Sequence, residues 1–506
     1  MFKFVAHPKH LTMKKVYVLI LVALAIPFLF TAFAPYKPEK TNSGQYFVIA
    51  WNDLGMHCAN LDFSNMCILP PYNNQSAHVI LKGSEGVLPV VMPASSGIYV
   101  TYEIPGNTES ATKTNFWNYS QHLFGVTLAP NIGLAGFGMT GTLQKADSIN
   151  YHHVEGIPIT AFPDVTPTLS TPYQLTLMKA YSASGQLLAT TQSVIPISHE
   201  IGCVGSGCHS SELGILNDHE QVPGFNIANK PILCANCHAD NALGTTGQAG
   251  VDPFSQVIHQ KHGFINSGTV NDCYKCHPGP NTQCWRDIMH STGGVITKCQ
   301  DCHGSVSNVG NTIDNGRNPW LQEPSCGATT CHGPNYSEQP GKLFRQSKGH
   351  GGLFCSTCHS SPHAILPSER PEDNVQNINL QGFAGTLSTC SVCHGYTPTG
   401  PGPHGFNPLG IQPVGSEHPG KTEILPVFPN PVYSRAIVPF NVAEAGKVTL
   451  EVIDLSGAVV TTLVNGELKA GAYHAEFFSS KHPSGTYLCV LRAQGSTCSQ
   501  KMFVVK

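Results

Sequence analysis

Seven times in this chain, a pair of cysteines is followed immediately by a histidine. Five copies have two residues between the cysteines and two copies have four. The motifs are Cys203, Cys208 and His209; Cys234, Cys237 and His238; Cys273, Cys276 and His277; Cys299, Cys302 and His303; Cys326, Cys331 and His332; Cys355, Cys358 and His359; and Cys390, Cys393 and His394. In such a motif both thiols can add to the vinyl groups of one haem, and the histidine can bind the iron. The spacing therefore predicts seven covalently attached haems c.

Zinc sites and disulfide frameworks also use paired cysteines. Neither requires a histidine directly after every second cysteine, which all seven motifs have. Because the chain has 19 Cys and 25 His, abundance alone does not separate these alternatives, but the repeated order of residues does. We therefore predict haem attachment and iron binding, with the histidine of each motif as the proximal ligand.

The sixth position of each iron decides between electron transfer and catalysis, because a filled position favours transfer and an open one binds substrate. Met289 is the only methionine between Cys203 and His394, so histidine is the expected ligand. His259 and His262 are three residues apart, as one helical turn would place them on one face. The candidate distal ligands are His199, His219, His259, His262, His290, His350, His363 and His404, with His418 a weaker ninth. This supply predicts two histidines at most or all irons.

The composition predicts a multidomain chain with short regular elements. Only 12% of residues are charged, and 50 Gly and 38 Pro favour strands and loops over long amphipathic helices. We expect a β-sandwich-like domain over 42–197, an irregular haem-packed domain with short helices over 198–406, a Pro/Gly linker over 407–423 and a small β-sandwich over 424–506. The haems should supply most of the apolar core of the middle domain.

Alternating apolar residues predict several strands in the flanking domains. The clearest lie at 96–105, 173–181 and 186–197 in the first domain, and the last two flank a hairpin turn. The last domain has predicted strands at 447–455, 486–491 and 501–506.

Five cysteines lie outside the motifs. We predict disulfides between Cys58 and Cys67 and between Cys489 and Cys498, which leaves Cys284 without an evident partner. The stretch from Trp51 to Cys58 also contains Asp53 and His57. A structural role for these two is one alternative, and binding of a metal or a haem is the other.

The N-terminus has the pattern of an export signal. Lys14 and Lys15 precede an apolar run over 16–30, and small residues follow at 31–34. We predict a signal peptide over 1–34, with Met13 as an alternative start, and no membrane span after cleavage. A retained membrane anchor is the alternative interpretation.

Two family resemblances follow from these residues. The C-terminal segment resembles the type A sorting domain of type IX secretion in Phe428–Pro431, the strand at 448–455, Pro483–Tyr487 and the 501–506 ending. This resemblance implies interaction with the type IX machinery and export across the outer membrane, followed by cleavage or surface attachment. The remainder resembles multihaem cytochromes of metal-reducing bacteria, in 51–58, Gly349–Gly352, Ser361–His363 and the seven motifs.

We expect an electron carrier rather than an enzyme, located outside the cell or on the outer-membrane surface after passage through the periplasm. Its acceptor would be a mineral, a soluble shuttle or a partner cytochrome. One alternative is a multihaem oxidoreductase that reduces a small nitrogen or sulfur compound, which needs one open iron. Another is a filament subunit with haems stacked between protomers. A net charge of −3 gives no electrostatic case for binding nucleic acid.

Overall fold

The structure is a computed structural model that describes most of the chain after residue 43. The described residues are 44–146, 150–205, 207–279, 281–286, 298–328, 333, 338–366, 368, 370–398, 402–405, 412–413, 421–425, 427, 430–432, 435–479 and 482–505. Several predicted features lie outside these residues, namely the signal peptide, His290, Cys331, His332, His418 and the start of the Phe428–Pro431 motif.

The described part of the first domain contains two sheets, one helix and a short strand, Met66–Cys67, that belongs to neither sheet. Its strands are β1 (Tyr46–Trp51), β2 (His57–Cys58), β3 (Met66–Cys67), β4 (Asn74–Leu81), β5 (Val90–Val91), β6 (Tyr99–Glu103), β7 (Thr140–Thr142), β8 (Gln144–Ala146), β9 (Tyr151–Glu155), β10 (Tyr173–Tyr181) and β11 (Leu187–Ser198), and its helix is α1 (Phe116–Phe124). One sheet has the order β1-β4-β9-β8, with β5 also paired to β4, and the other has the order β2-β11-β10-β6-β7.

Alternation along the strands gives both sheets an apolar face. Val48 and Val79 from one sheet and Val100, Met178 and Ile195 from the other are buried in one core. The predicted hairpin is confirmed, because β10 pairs antiparallel with β11 across a turn in which Ser182 N donates to Gln186 O.

Over its described residues, the middle segment forms short helices and one short strand. These are α2 (Gly202–Gly205), α3 (Glu212–Asn217), β12 (Ile232–Leu233), α4 (Phe254–Lys261), α5 (Asn271–Tyr274), α6 (Cys299–His303), α7 (Val306–Asp314), α8 (Cys355–His359), α9 (Pro371–Gln381) and α10 (Ser391–His394). Single 3₁₀ turns lie at Ala94–Ser96 in the first domain and at Ile227–Asn229, Cys234–Asn236, Phe344–Gln346, His350–Gly352 and Pro403–Gly405 in this segment.

Two of these helices show how the segment is held. Gly310 on α7 allows close approach to α4, since a Cβ at this position would lie 2.9 Å from the backbone nitrogen of Gln260. Helix α9 is bound to the first domain through Gln376, whose buried amide bonds both the N–H and the C=O of Ala50 at 2.8 and 3.0 Å. The middle segment is therefore attached directly to β1 and not only through its chain connection.

The last domain contains two four-stranded sheets. Its strands are β13 (Gln412–Pro413), β14 (Glu423–Ile424), β15 (Arg435–Val442), β16 (Gly446–Ile453), β17 (Val459–Leu468), β18 (Gly471–Phe478), β19 (Gly485–Ala493) and β20 (Ser496–Val504), in the orders β13-β18-β15-β14 and β17-β16-β19-β20. Phe440, Leu450, Phe477 and Leu491 are fully buried in the shared core. Within the described residues, the helices are all too short or too polar to cross a bilayer.

Candidate functional site

Six of the seven cysteine motifs contain a short helical or 3₁₀ turn, and most of the fifth motif lies outside the described residues. His238, His277 and His394 each donate their backbone N–H to the carbonyl of the first cysteine of their own motif, at 3.1, 2.9 and 2.9 Å. Residues three and four positions apart share one face of such a turn, so both thiols and the imidazole lie on the same side. In the longer first motif, His209 N donates to Cys203 O at 3.2 Å, which closes the wider spacing in a similar way.

The second cysteines of the motifs differ in their exposure. Cys208 and Cys302 are exposed, whereas Cys237 is half-buried. Cys237 N donates to Cys234 O at 3.2 Å, and the carbonyl of Cys237 accepts the N–H of Gln248 at 2.8 Å. The motif cysteines that the structure describes lie outside any disulfide.

Six of the seven motif histidines lie opposite a second histidine, and the seventh, His332, is outside the described residues. The ring centres are 6.0–6.5 Å apart in every case. The pairs are His209 with His262 (6.0 Å), His238 with His219 (6.5 Å), His277 with His259 (6.2 Å), His303 with His363 (6.2 Å), His359 with His404 (6.0 Å) and His394 with His350 (6.0 Å).

This separation fits one metal ion between the two rings of each pair. Two imidazole nitrogens on opposite sides of a metal, each at about 2 Å, put their ring centres about 6 Å apart. Six of the eight candidate distal ligands occupy such positions. Of the other two, His290 is not described, and His199 packs against the ring of Phe162 with a centroid separation of 4.8 Å.

Hydrogen bonds at the other ring nitrogen orient these histidines. Nδ1 lies within hydrogen-bonding distance of a backbone carbonyl in five of them: His219 with Ile215 (2.9 Å), His238 with Asp252 (2.9 Å), His259 with Ser255 (2.6 Å), His262 with Ile258 (2.8 Å) and His363 with Leu54 (3.2 Å). A carbonyl only accepts, so Nδ1 carries the hydrogen and Nε2 keeps its lone pair. Histidines that bind metals through Nε2 are commonly held in this way.

Burial keeps several of these rings neutral. Desolvation lowers the pKa of His277 and of His363 to about 4, and it also lowers the pKa of His259 and His303. A histidine binds a metal only in the neutral form, so burial favours ligation at these positions. Among the described residues, no group of three or more His, Cys, Asp or Glu is arranged to bind a metal ion without further ligands.

Several of the candidate sites are direct neighbours. Helix α4 and its C-terminal capping residue join the first and third sites, because His262 pairs with His209 and His259 pairs with His277. The same two motifs are linked where Gly202 N donates to Cys276 O at 3.3 Å.

The third and fourth motifs are also in contact, and so are the sixth and seventh. A hydrogen bond between the thiols of Cys273 and Cys299, together with burial, raises the pKa of Cys273. Leu387 N, just before the seventh motif, donates to Cys358 O of the sixth motif at 3.1 Å. Neighbouring sites are therefore connected directly rather than through the flanking domains.

Neither predicted disulfide is formed in the structure. Cys58 lies on β2 beside Ser198 of β11, whereas Cys67 lies on β3 beside Leu233 of β12, so their strands belong to different sheets. Burial raises the pKa of the Cys58 thiol, and the nearby thiol of Cys284 raises this pKa further.

In the second predicted disulfide, the strand register keeps Cys489 and Cys498 from lying opposite each other. Cys489 lies opposite Gln500, and Cys498 lies opposite Leu491. The two cysteines are therefore diagonal neighbours on β19 and β20, farther apart than directly opposed residues.

The Trp51–Cys58 stretch contacts the middle segment, and this contact could not be predicted from the sequence. His57 Nε2 lies 3.4 Å from the Asn52 amide and 3.6 Å from Asp53. The turn after Asn52 contacts His363, 309 positions later in the chain. The unusual composition of this stretch was visible in the sequence, but nothing in it indicated the distant partner.

Comparison with known proteins identifies the C-terminal region. Residues 426–506 match the family described as "Secretion system C-terminal sorting domain". The C-terminal domain is a type IX secretion sorting domain. The prediction of a type IX sorting domain in this segment is confirmed, and the domain implies export of the protein to the cell surface or the extracellular space.

The other comparisons are less informative. No curated protein matches the chain. One solved structure, that of dimeric latent PorU from Porphyromonas gingivalis, aligns over 91% of this chain and 34% of its own length, with 10% identity and a TM-score of 0.15. The chain thus spans about a third of that protein, and a TM-score this low carries no argument about the fold.

Proposed function

We propose that residues 198–406 bind seven haems c covalently and that the protein carries electrons outside the cell. The observation that carries this proposal is the set of six histidine pairs with ring centres 6.0–6.5 Å apart, each containing one motif histidine. When bound, haem supplies an iron that accepts and returns one electron. At each site the chain would supply two thiols to tether the ring and two imidazoles to bind the iron.

The histidine pairs favour an electron carrier over an enzyme. A reductase needs at least one iron with an open position for its substrate, whereas an iron bound by two histidines has none. The Nδ1 hydrogen bonds to backbone carbonyls hold the rings in place, which limits rearrangement when the iron changes its charge. Contacts between the first and third, third and fourth, and sixth and seventh motifs favour transfer from site to site.

The sorting domain determines where transfer would occur. Export to the surface or beyond brings the carrier into contact with acceptors that do not enter the cell. A mineral, a soluble shuttle or a partner cytochrome would each suit such a carrier. We further propose that the protein accepts electrons from cytochromes of the cell envelope.

A spectroscopic redox titration of the purified full-length holoprotein tests the proposal, with haem counted as pyridine haemochrome. We expect seven haems per chain, all low-spin. A single high-spin haem together with turnover of nitrite, hydroxylamine or tetrathionate would favour the reductase instead. Polymers in micrographs, with haems stacked between protomers, would favour the filament.

A further inference from the structure

One turn of the N-terminal domain reaches the imidazole of a candidate distal ligand. The carbonyl oxygen of Leu54 accepts the Nδ1–H of His363 at 3.2 Å. For His219, His259 and His262, the corresponding carbonyl belongs to the residue four positions earlier in the chain. His363 is thus oriented by a different domain, which could tune this site separately from the others.

The turn is rigidly built. The Asn52 side-chain oxygen accepts the N–H groups of Leu54 and Gly55, both at 3.1 Å. The Asn52 amide in turn donates to the side-chain oxygen of Asn73 at 2.8 Å and to the carbonyl of Asn74 at 2.9 Å. Asn52 is buried, so these bonds are shielded from water and fix the Leu54 carbonyl relative to β4.

Position 55 requires glycine for two reasons, its backbone conformation and the lack of room for a side chain. Its φ of +85° is in the left-handed region that favours glycine. A Cβ at this position would lie 2.8 Å from the hydroxyl of Ser361 and 3.0 Å from Cβ of His363. The turn therefore presses directly against the segment that carries the histidine.

Arg286 holds the same turn from another side. Its guanidinium donates to the carbonyl of Gly55 and pairs with Asp373 of α9 at 3.4 Å, with both side chains fully buried. It also lies over the ring of Tyr173, 4.7 Å from the centroid. The position of the turn is thus set by β4, by α9 and by the second sheet together.

We propose that the Leu54–Gly55 turn is a positioning element for the haem bound by His303 and His363. The inference rests on the proposed function. A carbonyl that accepts the Nδ1–H makes the imidazole a stronger electron donor to the iron. The contact therefore stabilises the oxidised iron and lowers the reduction potential of this haem.

The test compares Gly55→Ala with Gly106→Ala in the full-length holoprotein. Gly106 has a similar φ of +82°, but a Cβ there meets nothing within 4 Å. The control thus carries the same backbone strain without the contact to His363. In Gly55→Ala we expect one haem in seven to shift to a higher potential or to become partly high-spin, whereas Gly106→Ala keeps the wild-type titration.

Three outcomes decide the matter. Identical titrations for Gly55→Ala and the wild type, or equal changes in both variants, would overturn the positioning role while leaving the seven-haem carrier intact. Wild-type protein without haem would instead overturn the proposed function and this inference with it.

If Gly55→Ala yields too little protein, the Arg286→Lys variant is used for the test instead. This change keeps the charge but loses the planar group that reaches both Gly55 and Asp373. The same single haem should respond, and an unchanged titration in this variant would contradict the inference.

Discussion

His259 lies on α4 and His262 caps its C-terminus one turn later, yet their imidazoles face different motif histidines. His259 pairs with His277 at 6.2 Å, and His262 pairs with His209 at 6.0 Å. One eight-residue helix and its capping residue thus contribute to two candidate sites. Such sharing brings two sites close together with very little polypeptide.

Single substitutions of His259 and His262 should affect the two sites one at a time. We expect His259→Ala and His262→Ala each to convert one haem of seven from low-spin to high-spin, because each removes one axial ligand. The double variant should convert two. Electron paramagnetic resonance of the oxidised protein measures this, and Lys261→Ala, an exposed position on the same helix, is the control. Loss of the same haem in both single variants would contradict the pairing.

Protein prepared without haem should lose structure only in its middle segment. The flanking domains have their own buried cores, whereas 198–406 is predicted to depend on the haems for most of its apolar contacts. Limited proteolysis should therefore leave fragments covering about 44–197 and 435–505 and digest the rest. A protease-resistant middle segment in the haem-free protein would show that its fold does not need the cofactor.

Truncation before residue 426 should block export without affecting haem binding. The sorting domain begins at this residue and has a separate core. We expect the truncated protein to accumulate in the periplasm with the same haem content per chain as the full-length protein. Cell fractionation followed by haem staining gives both results. Truncated protein at the cell surface would contradict the role of this domain.

Two leucines in the sorting domain offer a matched stability test. Leu450 on β16 is 0% exposed, and Leu455 in the following turn is 74% exposed. Leu450→Ala should destabilise the domain by about 2–5 kcal/mol through the cavity it leaves. Leu455→Ala should change stability by no more than about 0.5 kcal/mol. Hydrogen exchange of the β16 amides measures both, and equal protection in the two variants would be the contrary result.

The sequence predicted best those features that depend on neighbours along the chain. The hairpin of β10 and β11 follows from alternation and turn residues, and the α4 histidines follow from helical spacing. These interactions are local, so their signals lie within a few residues of one another.

Other features depend on tertiary contacts and could not be predicted. His303 pairs with His363, and His350 pairs with His394, across long stretches of chain. Cys58 and Cys67 are close in sequence, but strand pairing draws them toward different partners. Which residues meet across such distances is set by how sheets and turns pack, and one sequence contains no direct record of this.

Strand β4 has a mechanical consequence for the proposed carrier. It begins at Asn74, which binds the turn beneath His363, and it leads to Gly83, whose N–H donates to the carbonyl of Cys393 at 2.9 Å. An eight-residue strand spans about 27 Å at about 3.4 Å per residue. Because β4 is paired along its length in a sheet, it holds the fourth and seventh sites at a fixed distance from each other. A force applied to the molecule would then extend its loops before it altered the distance between these two candidate sites.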